Sequence, residues 1–145
     1  MKVVVQRASS ANVKVNGEVV GEIEKGLVVL VSFTETDTDK EIDYIANKVA
    51  NLRIFDDSEG VPNLSVLDVG GSILSVSQFT LYADTSKGNR PSYLKSLRAE
   101  EANDLYKKFN DKLREFNLVV EEGIFREYME VSLTNDGPYT IIIEK

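Results

Sequence analysis

Apolar positions along the chain change their period several times, and each change marks a predicted element. MKVVVQRASSANVKV is extended and Val-rich, and it runs into Asn16-Gly17, a pair suited to the positive-φ positions of a type I′ hairpin turn. EVVGEIE is the partner strand, Lys25-Gly26 a second turn, and LVVLVSF a central strand. Over residues 38–52 the spacing becomes helical, with Ile42, Ile45, Ala46 and Val49 at i, i+3, i+4 and i+7. Thr38 and Glu41 have the spacing of a capping box, which places the helix start.

After LRIF, the stretch DDSEGVPN is a polar turn, and Gly70-Gly71 punctuates the approach to the next strand. A hairpin is the simplest arrangement there. Ala99 to Phe116 is a second helix, striped by Ala102, Leu105, Tyr106, Phe109, Leu113 and Phe116. Glu100 and Glu101 occupy its first turn, where the helix dipole favours acids. YMEVSLT alternates again, with Met129, Val131 and Leu133 inward, and YTIII closes the chain. Without repeat or linker, residues 1–145 form one domain. The expected fold class is α+β, with a largely antiparallel, curved or barrel-like sheet flanked by two helices.

Composition narrows the chemistry. The chain has no histidine and no cysteine, which excludes a His-based triad or proton shuttle, a disulfide framework and a thiolate metal site. Acid–base work would fall to carboxylates, Lys, Tyr, backbone groups or the substrate itself. No metal or other cofactor is called for: Asp56-Asp57 and Glu121-Glu122 lack a loop-ligand pattern and read as solvated turns. The formal net charge of −7 argues against a broad nucleic-acid-binding surface but permits a local basic patch. No apolar run approaches a membrane span, and MKVVVQR lacks the apolar region of a signal peptide. A cysteine-free chain of this kind fits the cytoplasm.

Three segments stand out. SILSVSQFTLYAD (72–84) begins as an ordinary strand and then turns polar. On a period of two, Gln78 and Thr80 continue the face of Leu74 and Val76, while Ser77 shares the face of Phe79 and Leu81. Such groups can cap neighbouring backbone at a strand end. Alternatively they floor a pocket, where hydroxyl, amide and backbone N–H donors hold an ester or amide carbonyl and its oxyanion. Thr80 as a nucleophile would need Lys87, Asp84 or a substrate group as its base, a weak arrangement.

TSKGNRPSYLKSLR (85–98) holds Lys87, Arg90, Lys95 and Arg98 around Tyr93, with no acid among them. It is either a solvated loop or a grip on nucleic-acid phosphates beside the pocket. Asn135-Asp136-Gly137-Pro138 is either a hairpin turn or a cis Gly-Pro bond that points two carbonyls the same way.

Taken together, VVQRASSANVKV, GLVVLVSF, LRIFDD, NLSVLDVGGSILSVSQFTLYAD, KGNRPSY and VSLTNDGPYT resemble the D-aminoacyl-tRNA deacylases, in that family's order and over nearly the whole chain. The resemblance implies hydrolysis of the ester between a D-amino acid and the tRNA 3′ end, removal of mischarged glycine, and rejection of L-aminoacyl-tRNA. It implies that Ser77, Gln78, Phe79 and Thr80 floor the pocket for the terminal adenosine and the ester. It implies that Gly137 and Pro138 act in trans, as a Gly-cisPro element reaching into the partner's site in a homodimer. It further implies that the tRNA 2′-OH assists hydrolysis. If the 85–98 run is a phosphate grip, Lys87 and Arg90 are its contacts on the tRNA backbone. Arg126-Glu127 departs from the family's usual Gly-Ala, and Val61-Pro62 from its usual Lys-Met.

Overall fold

β1 (Lys2–Val15) is the strand on which the rest of the sheet is registered. The computed structural model describes residues 1–145. One edge of β1 pairs antiparallel with β8 (Glu130–Glu144), from Lys2↔Glu144 to Lys14↔Glu130. The other edge is shared. Lys2–Ala8 pair with β3 (Gly26–Ser32), and Ala11–Val15 pair with β2 (Glu18–Ile23). The β1–β2 turn is Asn16-Gly17 with φ of 51° and 80°, the two left-handed residues that a type I′ turn requires.

Beyond β3 the sheet is parallel. β3 pairs with β6 (Ser72–Ser77), and β6 pairs with β7 (Val120–Glu122), both in parallel register. Parallel neighbours need long crossovers. The first carries α1 (Asp39–Asn51) and a small hairpin, β4 (Phe55–Asp56) with β5 (Pro62–Leu64). The second carries α2 (Ala99–Arg114). The expected hairpin around DDSEGVPN therefore exists, while β6 goes to the main sheet instead. Glu121-Glu122 lies in β7 rather than in a turn.

The sheet curls until its two end strands nearly meet. A Cβ on Gly21 of β2 would lie 2.8 Å from the Glu122 carbonyl oxygen and 3.2 Å from a Leu74 methyl. Only glycine fits that approach. The curl makes two apolar compartments. Val3, Val5, Leu27, Val29, Val31 and Ile73 face the helices, meeting Ile45 and Val49 of α1 and Phe109 and Leu113 of α2. Val13, Ile23, Val28, Leu74 and Val76 fill the inside of the barrel. LVVLVSF is thus buried on both parities. Each such side chain contributes about 1.5–3 kcal/mol on burial, so a one-residue slip would disrupt both compartments.

α1 starts as expected: the Thr38 N–H donates to Glu41 Oε2 at 2.8 Å, and the Lys40 N–H to Thr38 Oγ1 at 3.3 Å. α2 stops at Arg114, two residues short of the expected Phe116. Two further expectations are corrected. The strand from Ser72 does not run on to Tyr82. It ends at Ser77, and Phe79–Tyr82 form a 3₁₀ turn. Nor is Asn135–Pro138 a hairpin turn. β8 is one strand that pairs with β1 on both sides of this stretch, at Ala8↔Asn135 and again at Gln6↔Thr140. Residues 136–139 loop out between those pairs.

Candidate active site

β3 and β6 run parallel and end side by side, and the carboxyl ends of parallel strands are where clefts open. Val31, Ser32 and Phe33 leave one strand; Val76, Ser77 and Gln78 leave the other. Together they line a cleft of ≈ 540 Å³. Its walls come from the loop before α2 (Tyr93, Ser96, Leu97) and from the segment after β7 (Phe125 to Met129). Most of the lining is apolar, so the few polar groups at the strand ends are set in a low-dielectric surround.

The chain break after Ser77 is held from several sides. The Gln78 N–H donates to the Val31 carbonyl at 2.8 Å, which extends the parallel ladder by one residue. Phe79 then turns away, and its carbonyl accepts the Ser96 hydroxyl at 2.8 Å and the Ser32 hydroxyl at 3.5 Å. The Phe79 and Thr80 N–H groups open the 3₁₀ turn and have no acceptor within the chain. The Phe79 ring, 57% exposed, meets Tyr93 edge to face with centroids 4.9 Å apart.

Ser77, Gln78 and Phe79 are therefore brought together at the cleft. Thr80 stands behind them: it does not line the cleft, and its hydroxyl accepts the Gln78 side-chain amide. No histidine or cysteine exists to activate it.

The 85–98 segment is pinned across the 3₁₀ turn rather than loose. Asp84 and Ser92 exchange backbone hydrogen bonds of 2.8 and 2.9 Å, and Lys95 pairs with the Asp84 carboxylate at 3.3 Å. The Ser86 hydroxyl and N–H, then Lys95, hold the Asp84 pKa down to about 2. Asp84 is thus the acid that the basic run lacks internally, and it neutralises Lys95. Lys87 and Arg90 are exposed, make no ion pair and lie outside the cleft lining.

Gly137 and Pro138 do not line the cleft of their own chain. The bond between them is cis, and Gly137 has φ of 137°, a backbone region that favours glycine. Their loop is organised by Arg7, a residue the sequence reading passed over. The Arg7 guanidinium is buried. It donates to the Ile54 carbonyl at 2.6 Å and to the Asp136 carbonyl at 2.8 Å, and stands 3.5 and 3.6 Å from the Asp56 and Asp136 carboxylates. Its charge also sits 4.5 Å from the centre of the Tyr139 ring. A buried cation persists only with such partners. The signal was present in sequence: Val3, Val5 and Arg7 alternate, so an arginine continues an inward-facing series.

At the opposite wall, Arg126 has φ of 67°. A non-glycine residue there costs about 1–2 kcal/mol, and Arg126 is among the residues that line the cleft. No three Asp or Glu side chains are grouped so as to hold a metal ion.

The sequence model of the family described as D-Tyr-tRNA(Tyr) deacylase matches residues 4–144. The chain belongs to that family. A D-aminoacyl-tRNA deacylase of Brevibacillus brevis is 58% identical over 144 residues, covering 99% of each chain. One of Thermosipho melanesiensis is 52% identical over 145 residues, covering 99% of this chain and 97% of its own. Among solved structures, the c-Myc DNA Unwinding Element Binding Protein superposes with a TM-score of 0.94 at 40% identity, over 100% of this chain and 99% of that one.

Proposed function

We propose that the chain hydrolyses the ester joining a D-amino acid to the 3′ end of tRNA, releases both, also removes glycine, and spares L-aminoacyl-tRNA. One observation carries this reading: in a deacylase-family chain without histidine or cysteine, the strand that floors a largely apolar cleft ends in two backbone N–H groups, of Phe79 and Thr80, that have no acceptor in the chain. As a water oxygen bonds to the ester carbon, negative charge gathers on the carbonyl oxygen. Fixed N–H donors stabilise that charge better than the ground-state carbonyl. The bond to the ribose 3′ oxygen then breaks, and the proton lost by the water passes to that leaving oxygen. The neighbouring 2′-OH is placed to assist this transfer, so the substrate supplies what the side chains lack.

Selectivity rests on Gly137 and Pro138 acting from a second subunit. They lie away from their own cleft, and β8 offers a long strand edge with no partner, including Ile142 at 66% exposure. An unpaired edge of that length is suited to an intersubunit contact. Carbonyls facing one side of the substrate α-carbon would collide with an L side chain, whereas a D residue or glycine presents only hydrogen there. Lys87 and Arg90, exposed and unpaired, would meet tRNA phosphates. The setting is the cytoplasm. Duplex DNA binding, suggested by the name of the solved relative, is opposed by the net charge of −7.

The test is release of free amino acid from charged tRNA. D-Tyrosine should be released and L-tyrosine retained. Equal release of both, or release of neither by a folded dimer, would overturn the proposal.

A further inference from the structure

Arg126 is the single cation lining the cleft, and its guanidinium makes no ion pair or hydrogen bond within the chain. Glu127, the single acid of the lining, adjoins it in sequence without pairing with it. The backbone at Arg126 is held at a φ of 67°, a conformation that arginine rarely adopts and that tends to occur where a site requires it. Around the same cleft lie three exposed rings: Phe79 at 57%, Tyr93 at 39% and Tyr128 at 84%. Phe79 and Tyr93 already engage each other, whereas Tyr128 has no aromatic neighbour.

Flat apolar rings together with a free guanidinium match the parts of a nucleotide chain: bases stack on the former, and a phosphate takes the latter. A terminal nucleoside carries one phosphodiester, on its 5′ side, so one cation at the cleft suffices for it. The geometry points to Arg126 as the contact for that last phosphodiester of the RNA, with Tyr128 as the stacking face for the base preceding the terminal one. This rests on the reading of the cleft as the seat of the aminoacyl ester. Lys87 and Arg90, outside the lining, are left for phosphates further along.

The experiment compares D-tyrosyl-tRNA with D-tyrosine esterified to the 3′-OH of adenosine, which has no phosphate and no second base. Arg126→Gly suits the local backbone and should fold. For the tRNA ester it should raise KM about five- to tenfold, and it should lower the slope of log KM against log salt by roughly one contact. The ratio of kcat/KM for the tRNA ester to that for the adenosine ester should fall by the same factor. Arg126→Lys should recover most of the salt slope. Tyr128→Ala should reduce the ratio while leaving the slope intact, and Tyr128→Phe should restore the ratio. Equal losses on both esters, or an unchanged slope in Arg126→Gly, would overturn the assignment. If the wild-type protein hydrolyses only the tRNA ester, the salt slope decides. If it hydrolyses neither, the reading of the cleft itself fails, which is a separate result.

Discussion

The Arg7 guanidinium donates to the Asp136 carbonyl at 2.8 Å, tying the first strand of the sheet to the loop that carries Gly137 and Pro138. Arg7→Met would leave the Asp56 and Asp136 carboxylates without their cation. Both are half-exposed and stay hydrated, so the cost comes chiefly from the Ile54 and Asp136 carbonyls losing a charged donor, about 1.5–3 kcal/mol. Arg7→Lys keeps the charge but not the two-directional fork. It should cost about 1–2 kcal/mol and lower the D-over-L ratio before it lowers D-tyrosine release. Urea unfolding gives the first quantity, and paired deacylation assays give the second. An unchanged ratio in a folded Arg7→Lys protein would separate this residue from selectivity.

Gly137 offers a more local test. A Cβ there would lie 2.7 Å from a Tyr139 ring carbon and 3.3 Å from the Arg7 guanidinium, at a φ of 137°. Gly137→Ala must therefore shift the loop. A stability loss of about 1–2 kcal/mol should accompany a fall in discrimination against L-tyrosyl-tRNA. Full discrimination by this variant would remove the loop from the selectivity mechanism.

Thr80→Val should retain turnover on D-aminoacyl-tRNA, lowered by less than about tenfold, because the hydroxyl accepts from Gln78 and does not line the cleft. A tRNA ending in 2′-deoxyadenosine should, by contrast, be a very poor substrate. Complete loss in Thr80→Val with folding and tRNA binding intact would overturn the reading of its hydroxyl as dispensable.

Asp84 gives a pH signature. Its carboxylate is held down to about 2 by Ser86 and Lys95, against about 3.9 for an unperturbed Asp. A lowered folded pKa means the contribution is complete above the unfolded value and is lost as pH falls toward the folded one. Amide-exchange protection at Ser86 and Ser92 should therefore be flat above about pH 4 and decline toward pH 2. Asp84→Asn should lack that decline. The same acid titration curve in both proteins would show that this carboxylate does not anchor the loop.

Much of the architecture was legible where the code is local. Asn16-Gly17 specifies its own turn, Thr38 and Glu41 their own cap, and the α1 and α2 stripes their buried faces. What escaped was set by distant partners. Nothing in the periodicity of β6 says that it pairs in parallel with β3. Phe79 and Leu81 alternate as a strand would, and the break after Ser77 is held by Ser32 and Ser96 gripping the Phe79 carbonyl. At the site, Ser77, Gln78 and Phe79 were readable as a polar strand end, whereas the loop-forming role of Arg7 depends on Ile54, Asp56 and Asp136, far away in sequence.

β8 pairs with β1 on both sides of the looped-out residues 136–139, and that gives the loop a fixed length. An ordinary surface loop absorbs an insertion by bulging further. This one is spliced into a single strand whose later half places Ile141 and Ile143 against the core and Ile142 outward. Removing one residue must either shorten the loop or slide that half by one position, and sliding would exchange its two faces. Single-residue deletions from Asp136 to Tyr139 should thus be as damaging as deletions in the barrel wall, and variation among functional chains should take the form of replacement at constant length.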